Sequence, residues 1–276
     1  MAITAQEVNN LRKITGAGMM DCKQALTEAN GDVDVAIEIL RKKGQKVSAK
    51  RQDRETTEGS VFIKSNENQT ESVLIAVGCE TDFVAKNADF QSLGELIIET
   101  AYAQKPADIE DLKAQKVGNL TIEDKIIELV GKIGEKIEIL SYEKMEAEKV
   151  ISYIHAGSKL GVLVAFKNVG GADVTDAGKD VAMQIAAMNP VAVDKDEVDP
   201  TVIEKEIEIG KEQARADGKP EQMLEKIALG KLNKFYKENT LLNQEFVKDN
   251  SVTIAQYLDK VNKGLTVSAF KRIAIG

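Results

Sequence analysis

An apolar run from Ser72 to Val77 leads into the polar segment Cys79-Glu80-Thr81-Asp82-Phe83-Val84-Ala85-Lys86, and an amphipathic stretch from Asp89 to Ala103 follows. This succession constrains the fold more than any other feature of the chain. A short, almost wholly aliphatic run reads as a buried strand, and apolar residues at helical spacing read as a helix that covers it. The junction between them should be polar and compact, yet it sets Asp82 beside Phe83, with Lys86 three residues on. A phenylalanine in a connection has a large apolar surface and no element of its own to bury it. Either Phe83 tucks back into the core, or it is a wedge held out for another molecule.

The surrounding pattern predicts an α+β protein. Residues 1–44 read as three helices. Thr4 and Glu7 have capping-box spacing ahead of the stripe Val8, Leu11, Ile14. Thr15-Gly16-Ala17-Gly18 breaks that helix, and Met19, Cys22, Ala25, Leu26 and Ala29 form a second stripe. Asn30-Gly31-Asp32 is a turn and N-cap before Val33, Ala36, Ile37 and Leu40, with Gly44 as the C-terminal stop. Residues 45–58, with Lys46, Lys50, Arg51 and Arg54, read as a solvated tether.

Residues 59–140 read as a first subdomain. It has a hairpin of Ser60–Ser65 with Ser72–Val77, helices near 89–103 and 121–134 (Thr121 and Asp124 at the cap of the second), and a short strand Ile137–Leu140. Residues 141–198 with 240–276 read as a second subdomain, because Val162-Leu163-Val164-Ala165 echoes Val73-Leu74-Ile75-Ala76 ahead of a helix at Thr175–Met188. A short helix at 253–262 and a last strand at Leu265–Ile275 complete it. Each subdomain is expected to be a small antiparallel sheet covered by helices. Between them, residues 199–239 carry the stripes Ile203, Ile207, Gly210, Ala214 and Met223, Ile227, Gly230 on either side of Asp217-Gly218-Lys219-Pro220, an antiparallel helical hairpin with coiled-coil spacing. Its two glycines either let the helices approach or weaken them.

Composition removes several classes of function. The net charge of −8 argues against general nucleic-acid affinity. No apolar run is long enough to span a bilayer, and Met1–Glu7 lacks the pattern of a secretion signal, so a cytoplasmic protein is expected. Cys22 and Cys79 sit in unlike contexts and read as reduced thiols, Cys79 as a small buried residue at a strand end. His155 is the only histidine, which leaves few ligands for a Cys/His metal cluster. Gly-x-Ser-x-Gly and the phosphate-binding Gly-Lys-Ser/Thr are missing, and Asp21 stands where Gly16-Ala17-Gly18 would need its third glycine. No cofactor is implied. Paired-carboxylate chemistry stays open, since 45 Asp and Glu always offer some pair.

Two motifs resemble the elongation factor Ts family. Leu11-Arg12-x-x-Thr15-Gly16-Ala17-Gly18-Met19-Met20-Asp21-Cys22-Lys23-Gln24-Ala25-Leu26 is similar to its N-terminal signature, and Cys79 to Lys86 to its central one. Lys132-Ile133-Gly134-Glu135, Tyr153-Ile154-His155 and Gly161-Val162-Leu163-Val164 follow in the family's order. Ala76 and Gly78 depart from the pattern, where the family often has Glu and Asn. The sequence stops at Gly276 without the helical extension some members carry, so contacts made by such an extension are not expected.

The resemblance implies a guanine nucleotide exchange factor for elongation factor Tu that makes and breaks no covalent bond. It implies that the helical unit has a ubiquitin-associated-type fold and docks on the partner's GTPase domain. It also implies that the hairpin protrudes and pairs two copies in some members. Carried over residue by residue, Thr81, Asp82, Phe83 and Val84 form the segment that disturbs the partner's Mg2+ site. His155 lies near its phosphate loop, and Ile133, Arg12, Met19, Met20 and Lys23 add contacts. The residues alone leave other readings. Thr81 or Asp82 caps a helix while Phe83 packs inward. His155 is an ordinary imidazole, and Ile133 is core. One of Met19 and Met20 is core and the other partly exposed. The helical unit by itself also suits a protein-binding adaptor without exchange activity.

Overall fold

A computed structural model describes residues 3–276, so Met1 and Ala2 of the stretch Met1–Glu7 lie outside it. The chain opens with α1 (Ala5–Thr15), α2 (Met19–Glu28) and α3 (Val33–Lys50). Thr4 and Glu7 form the expected box, with Thr4 N–H donating to the Glu7 carboxylate at 2.7 Å. Asp32 caps α3 by accepting from Val35 N–H. Leu11, Cys22, Leu26 and Ala36 are fully buried between the three helices. Ile14, expected in the α1 stripe, instead faces solvent at 64% exposure.

β1 (Glu58–Ser65) and β2 (Glu71–Cys79) pair antiparallel. A single turn, α4 (Asp82–Ala85), the long helix α5 (Ala88–Gln104) and the short α6 (Ile109–Ala114) follow. The two-residue strands β3 (Lys116–Val117) and β4 (Leu120–Thr121) lead into α7 (Ile122–Ile133) and β5 (Ile137–Glu146). β5 returns beside β2, giving the order β1-β2-β5. The strand expected to end at Leu140 thus continues to Glu146, and its later residues belong to the first sheet, because each still has a ladder partner on β2.

The second half repeats this plan. β6 (Lys149–Ile154) and β7 (Leu160–Lys167) pair, and α8 (Thr175–Met188) covers them. After the hairpin α9 (Pro200–Ala216) and α10 (Glu221–Asn239) come β8 (Glu245–Phe246), β9 (Asp249–Thr253), α11 (Ile254–Val261) and β10 (Thr266–Ala274). β10 returns beside β7, giving β6-β7-β10. Both halves therefore run strand pair, helix, two short strands, Thr-capped helix, returning strand. The capping boxes of Thr121 with Asp124 and Thr253 with Gln256 head the equivalent helices α7 and α11. Packing repeats as well. Phe62 lies opposite Ile75, and Ile151 lies opposite Val164. Each of these edge-strand side chains fills the space a glycine leaves on the covering helix, Gly94 of α5 for Phe62 and Gly178 of α8 for Ile151. The helical hairpin stands in the second half where α6 stands in the first.

The two sheets stack face to face through Val61, Leu74, Ala76, Leu163 and Ala165. Gly161 makes room for Val61, whose Cγ1 would come within 2.5 Å of any Cβ there. On the outer faces, Phe90, Ile97 and Ile126 of α5 and α7 pack on the first sheet, and Val181, Ile185 and Leu258 of α8 and α11 on the second. The result is an α+β fold of two helix-covered antiparallel sheets.

Two local expectations are corrected. α3 does not stop at Gly44 but runs to Lys50, through much of the segment read as a tether. Gly44 is buried against α7, where a methyl group would lie 2.8 Å from the Ile127 carbonyl oxygen. Its role is close approach between helices, and a mid-helix glycine weakens a helix without ending it. In the hairpin, the inward face of α10 is Leu224, Ala228 and Leu232, not Met223 and Gly230. Gly210 does allow the close approach, with a Cβ there 3.1 Å from Ala228 Cα, whereas Gly230 faces open space.

Candidate partner-docking surface

The junction after β2 is a single helical turn held from three sides. Thr81 caps α4 by accepting from Val84 N–H at 3.4 Å. Thr81 N–H and Oγ1 also donate to the Glu135 carboxylate at 3.1 and 2.9 Å, which ties the turn to the loop between α7 and β5. Glu80 accepts from Lys136 N–H at 2.7 Å and from the Arg51 guanidinium at 2.9 Å to each oxygen. Cys79 and Val84 are buried in the first core. Burial pushes the Cys79 thiol up to about 12, with help from the Glu135 charge. Phe83, on this clamped turn, is 83% exposed.

Both alternatives for the motif are thus half realised. Thr81 is a cap, but Phe83 does not pack inward. In a one-turn helix Val84 and Ala85 suffice as the inward anchors. That leaves the Phe83 side of the turn free. Asp82 pairs only with Lys86, at 2.7 Å, one turn along. This hydrogen bond holds the Asp82 carboxyl below its ordinary value. Asp82 is therefore a charged carboxylate at neutral pH, in a weak solvent-screened pair that a stronger cationic partner can replace.

The tip carrying His155 leaves the same end of the stacked sheets. Glu58, the first residue of β1, lies opposite Cys79. Lys159, in the turn between β6 and β7, pairs with Glu58 at 3.0 Å and donates to the Thr57 carbonyl at 3.2 Å. Val61 N–H donates to the Ser158 carbonyl at 2.7 Å. His155 is exposed, with Tyr153 Oη 2.9 Å from its Nδ1. Ile133 is partly buried on the first core, at the end of α7 next to the Glu135 clamp.

The helical unit meets this end through Lys132. That side chain pairs with Asp89 at 2.7 Å and fills the space beside Gly16, where a Cβ would be 2.8 Å from Nζ. The Thr15–Gly18 turn, between Arg12 and Met19, thus adjoins the residue before Ile133. Met19 and Met20 are both exposed, at 54% and 73%, which corrects the expectation that one of them is core. The stripe of α2 starts at Cys22 instead, whose thiol faces the Ala17 carbonyl and Thr15 of the preceding turn. Arg12 and Lys23 are exposed too.

Of the residues singled out from sequence, Asp82, Phe83, His155, Arg12, Met19, Met20 and Lys23 present accessible side chains, and Thr81 and Val84 support Phe83 from below. Glu80, Glu135 and Arg51, which hold the turn in place, were not singled out. Glu135 had a signal, its position in Lys132-Ile133-Gly134-Glu135. Arg51 had none, since a basic residue in an apparent tether reads as solvated. Among the described residues no group of three His, Cys, Asp or Glu side chains is placed to hold a metal ion, and no helix is long and apolar enough to cross a membrane.

Ala76 and Gly78 are accommodated locally. Ala76 is wholly buried between the sheets, where Glu would need a partner. Leu140 and Thr56 occupy the space beside Gly78, within 2.7 and 3.0 Å of a Cβ there.

Related sequences fall into one class, the translation elongation factors. Residues 80–276 match the family described as Elongation factor TS. Over the whole chain, 59% of residues are identical to Elongation factor Ts of Amoebophilus asiaticus, across 100% of both sequences. Elongation factor Ts of Cytophaga hutchinsonii is 62% identical over 99% of each, and that of Christiangramia forsetii 53% over 99% of each. The chain belongs to the elongation factor Ts family.

Proposed function

We propose that this protein is a guanine nucleotide exchange factor, which binds elongation factor Tu in the cytoplasm and promotes release of its GDP during translation elongation. The observation that carries the reading is Phe83, a large apolar side chain held in solvent on a turn clamped through Thr81 and Glu135. An exposed phenylalanine on a pre-ordered turn loses little conformational freedom when it inserts into a partner. Asp82 beside it brings a carboxylate to the partner's Mg2+ neighbourhood, where it competes for the waters and side chains that position the ion.

An exchange factor works by binding the nucleotide-free partner better than the nucleotide-bound one, and the coupling is reciprocal. Loosening GDP about 10⁴-fold requires roughly 5.5 kcal/mol of differential binding. Burying Phe83 supplies about 1.5–3 kcal/mol. The rest must come from a wide surface. His155, Ile133 and the exposed Met19, Met20, Arg12 and Lys23 offer one, the helical unit's part of it joined to the core through Lys132. The test follows release of fluorescent GDP from purified elongation factor Tu. Acceleration by this protein is expected, and an unchanged rate would sink the reading.

A further inference from the structure

The segment between the helical unit and β1 is built into the clamp under Phe83. Arg51, the residue that ends α3, grips both oxygens of Glu80 at 2.9 Å. Lys136 holds the backbone that follows, donating to the carbonyls of Gln52 at 3.2 Å and Arg54 at 3.1 Å, while its own N–H donates to Glu80. The Glu80 side chain is only 16% exposed, so this pair is far better shielded than the open Asp82–Lys86 pair. Both contacts come from one guanidinium nitrogen, Nη1, which bridges the two carboxylate oxygens, and such charge-assisted bonds are stronger than neutral ones. Glu80 and Thr81 are the two residues between the end of β2 and Asp82. Glu80 is therefore clamped from the end of α3 and from the loop after α7, and Thr81 from that loop alone. Burial alone would push the Glu80 carboxyl up, but the Lys136 N–H and Arg51 outweigh it and hold it below its ordinary value.

We propose that Arg51 is a positioning residue for exchange: through Glu80 it sets the orientation of the Asp82–Phe83 turn, so that the helical unit's own helix α3 aims the wedge. The proposal rests on the exchange reading for its functional consequence, but its physical core, the order of the turn, is measurable without any partner. Arg51 touches no nucleotide and acts only by way of Glu80. Lys at this position would keep the charge, as a compact point charge on a more flexible stem.

The chain contains no tryptophan, so Phe83→Trp places a single indole fluorophore at the tip. In this background Arg51→Ala and Glu80→Gln should each lower the steady-state anisotropy of the introduced indole and raise its quenching by acrylamide, with far-ultraviolet dichroism unchanged. Glu80→Gln keeps an acceptor for Lys136 N–H, and it decides the matter if Arg51→Ala does not fold. In GDP-release assays on elongation factor Tu with Phe83 in place, Arg51→Ala should lower the maximal rate about tenfold and leave the half-saturating concentration less affected, as expected of a group that orients without binding. Arg51→Lys should recover part of the loss, and in a Phe83→Ala background Arg51→Ala should have little further effect. Unchanged anisotropy in both variants overturns the proposal. So does an equal loss of rate in the presence and absence of the Phe83 ring. If wild type fails to accelerate release, the exchange reading falls, and the anisotropy measurement still decides whether Arg51 orders the turn.

Discussion

Gly44 of α3 and Gly131 of α7 meet backbone to backbone: a Cβ on Gly131 would stand 2.9 Å from the Cα of Gly44. This crossing, flanked by the Arg41–Glu128 pair at 3.7 Å, seats the helical unit on the core. Any side chain larger than hydrogen must push the two helices apart. Gly131→Val should therefore destabilise the protein by about 1–3 kcal/mol, the usual range for overpacking. Urea denaturation gives the number, and limited proteolysis should show faster cleavage around residues 51–57. A midpoint and a cleavage rate like those of wild type would mean that the helices are not held at this crossing.

Phe83 and Val84 are neighbours with opposite surroundings, one open to solvent and the other buried. Phe83→Ala should leave stability within about 0.5 kcal/mol of wild type, because an exposed side chain has little to lose on truncation. It should slow GDP release from elongation factor Tu by roughly 10- to 100-fold, the equivalent of losing one buried phenylalanine from the complex. Val84→Ala should do the reverse first, lowering stability by about 1–3 kcal/mol through lost core packing. Thermal melts and release kinetics on the two variants separate the roles. A Phe83→Ala protein as fast as wild type would remove the wedge from the mechanism.

The Cys79 thiol, raised to about 12 by burial and by the Glu135 charge, links stability to alkaline pH. In the unfolded chain the thiol ionises near its ordinary value, while in the folded protein it stays protonated. The unfolded state thus binds fewer protons between the two values, so stability falls as pH rises. The contribution is fully present below the ordinary thiol range and is lost progressively towards pH 12. Wild type should lose roughly 1.4 kcal/mol more than Cys79→Ala between pH 8 and pH 10, read from urea unfolding at each pH. Parallel curves for the two proteins would show that the thiol is not protected.

The ring of Phe62 occupies the space above Gly94, and Ile151 does the same above Gly178. Gly94→Ala should lower stability by about 1–3 kcal/mol. Pairing it with Phe62→Leu should recover part of that loss, because the smaller side chain vacates the site. The signature is non-additivity in a double-mutant cycle measured by chemical denaturation. Strictly additive effects would mean that the ring and the helix do not share this space.

Much of the architecture follows from local chemistry. Short aliphatic runs such as Val73–Val77 and Val162–Ala165 read as buried strands, and the boxes at Thr4 and Thr121 mark helix starts through hydrogen bonds closed within four residues. Thr175–Met188 is a helix with the bounds its periodicity predicts. The short strands β3, β4, β8 and β9 are harder to see, although Gly118-Asn119 between Val117 and Leu120, and the matching Thr121-Ile122 and Thr253-Ile254, mark their ends. Asp82 and Phe83 stood out because an aromatic beside an acid in a connection has no local use. What no local pattern contains is the partner of each side chain across the fold. Gly44 looks like a helix stop until α7 lies against it, Met19 looks like core yet is left in solvent by the packed helices, and Arg51 looks like part of a solvated tether until Glu80 is 2.9 Å away. Periodicity and capping depend on neighbours within a turn or two of chain, so residue order settles them. Close approach, exposure and ion pairing depend on groups that are far apart in sequence, and these are settled only when the sheets stack and the helices dock.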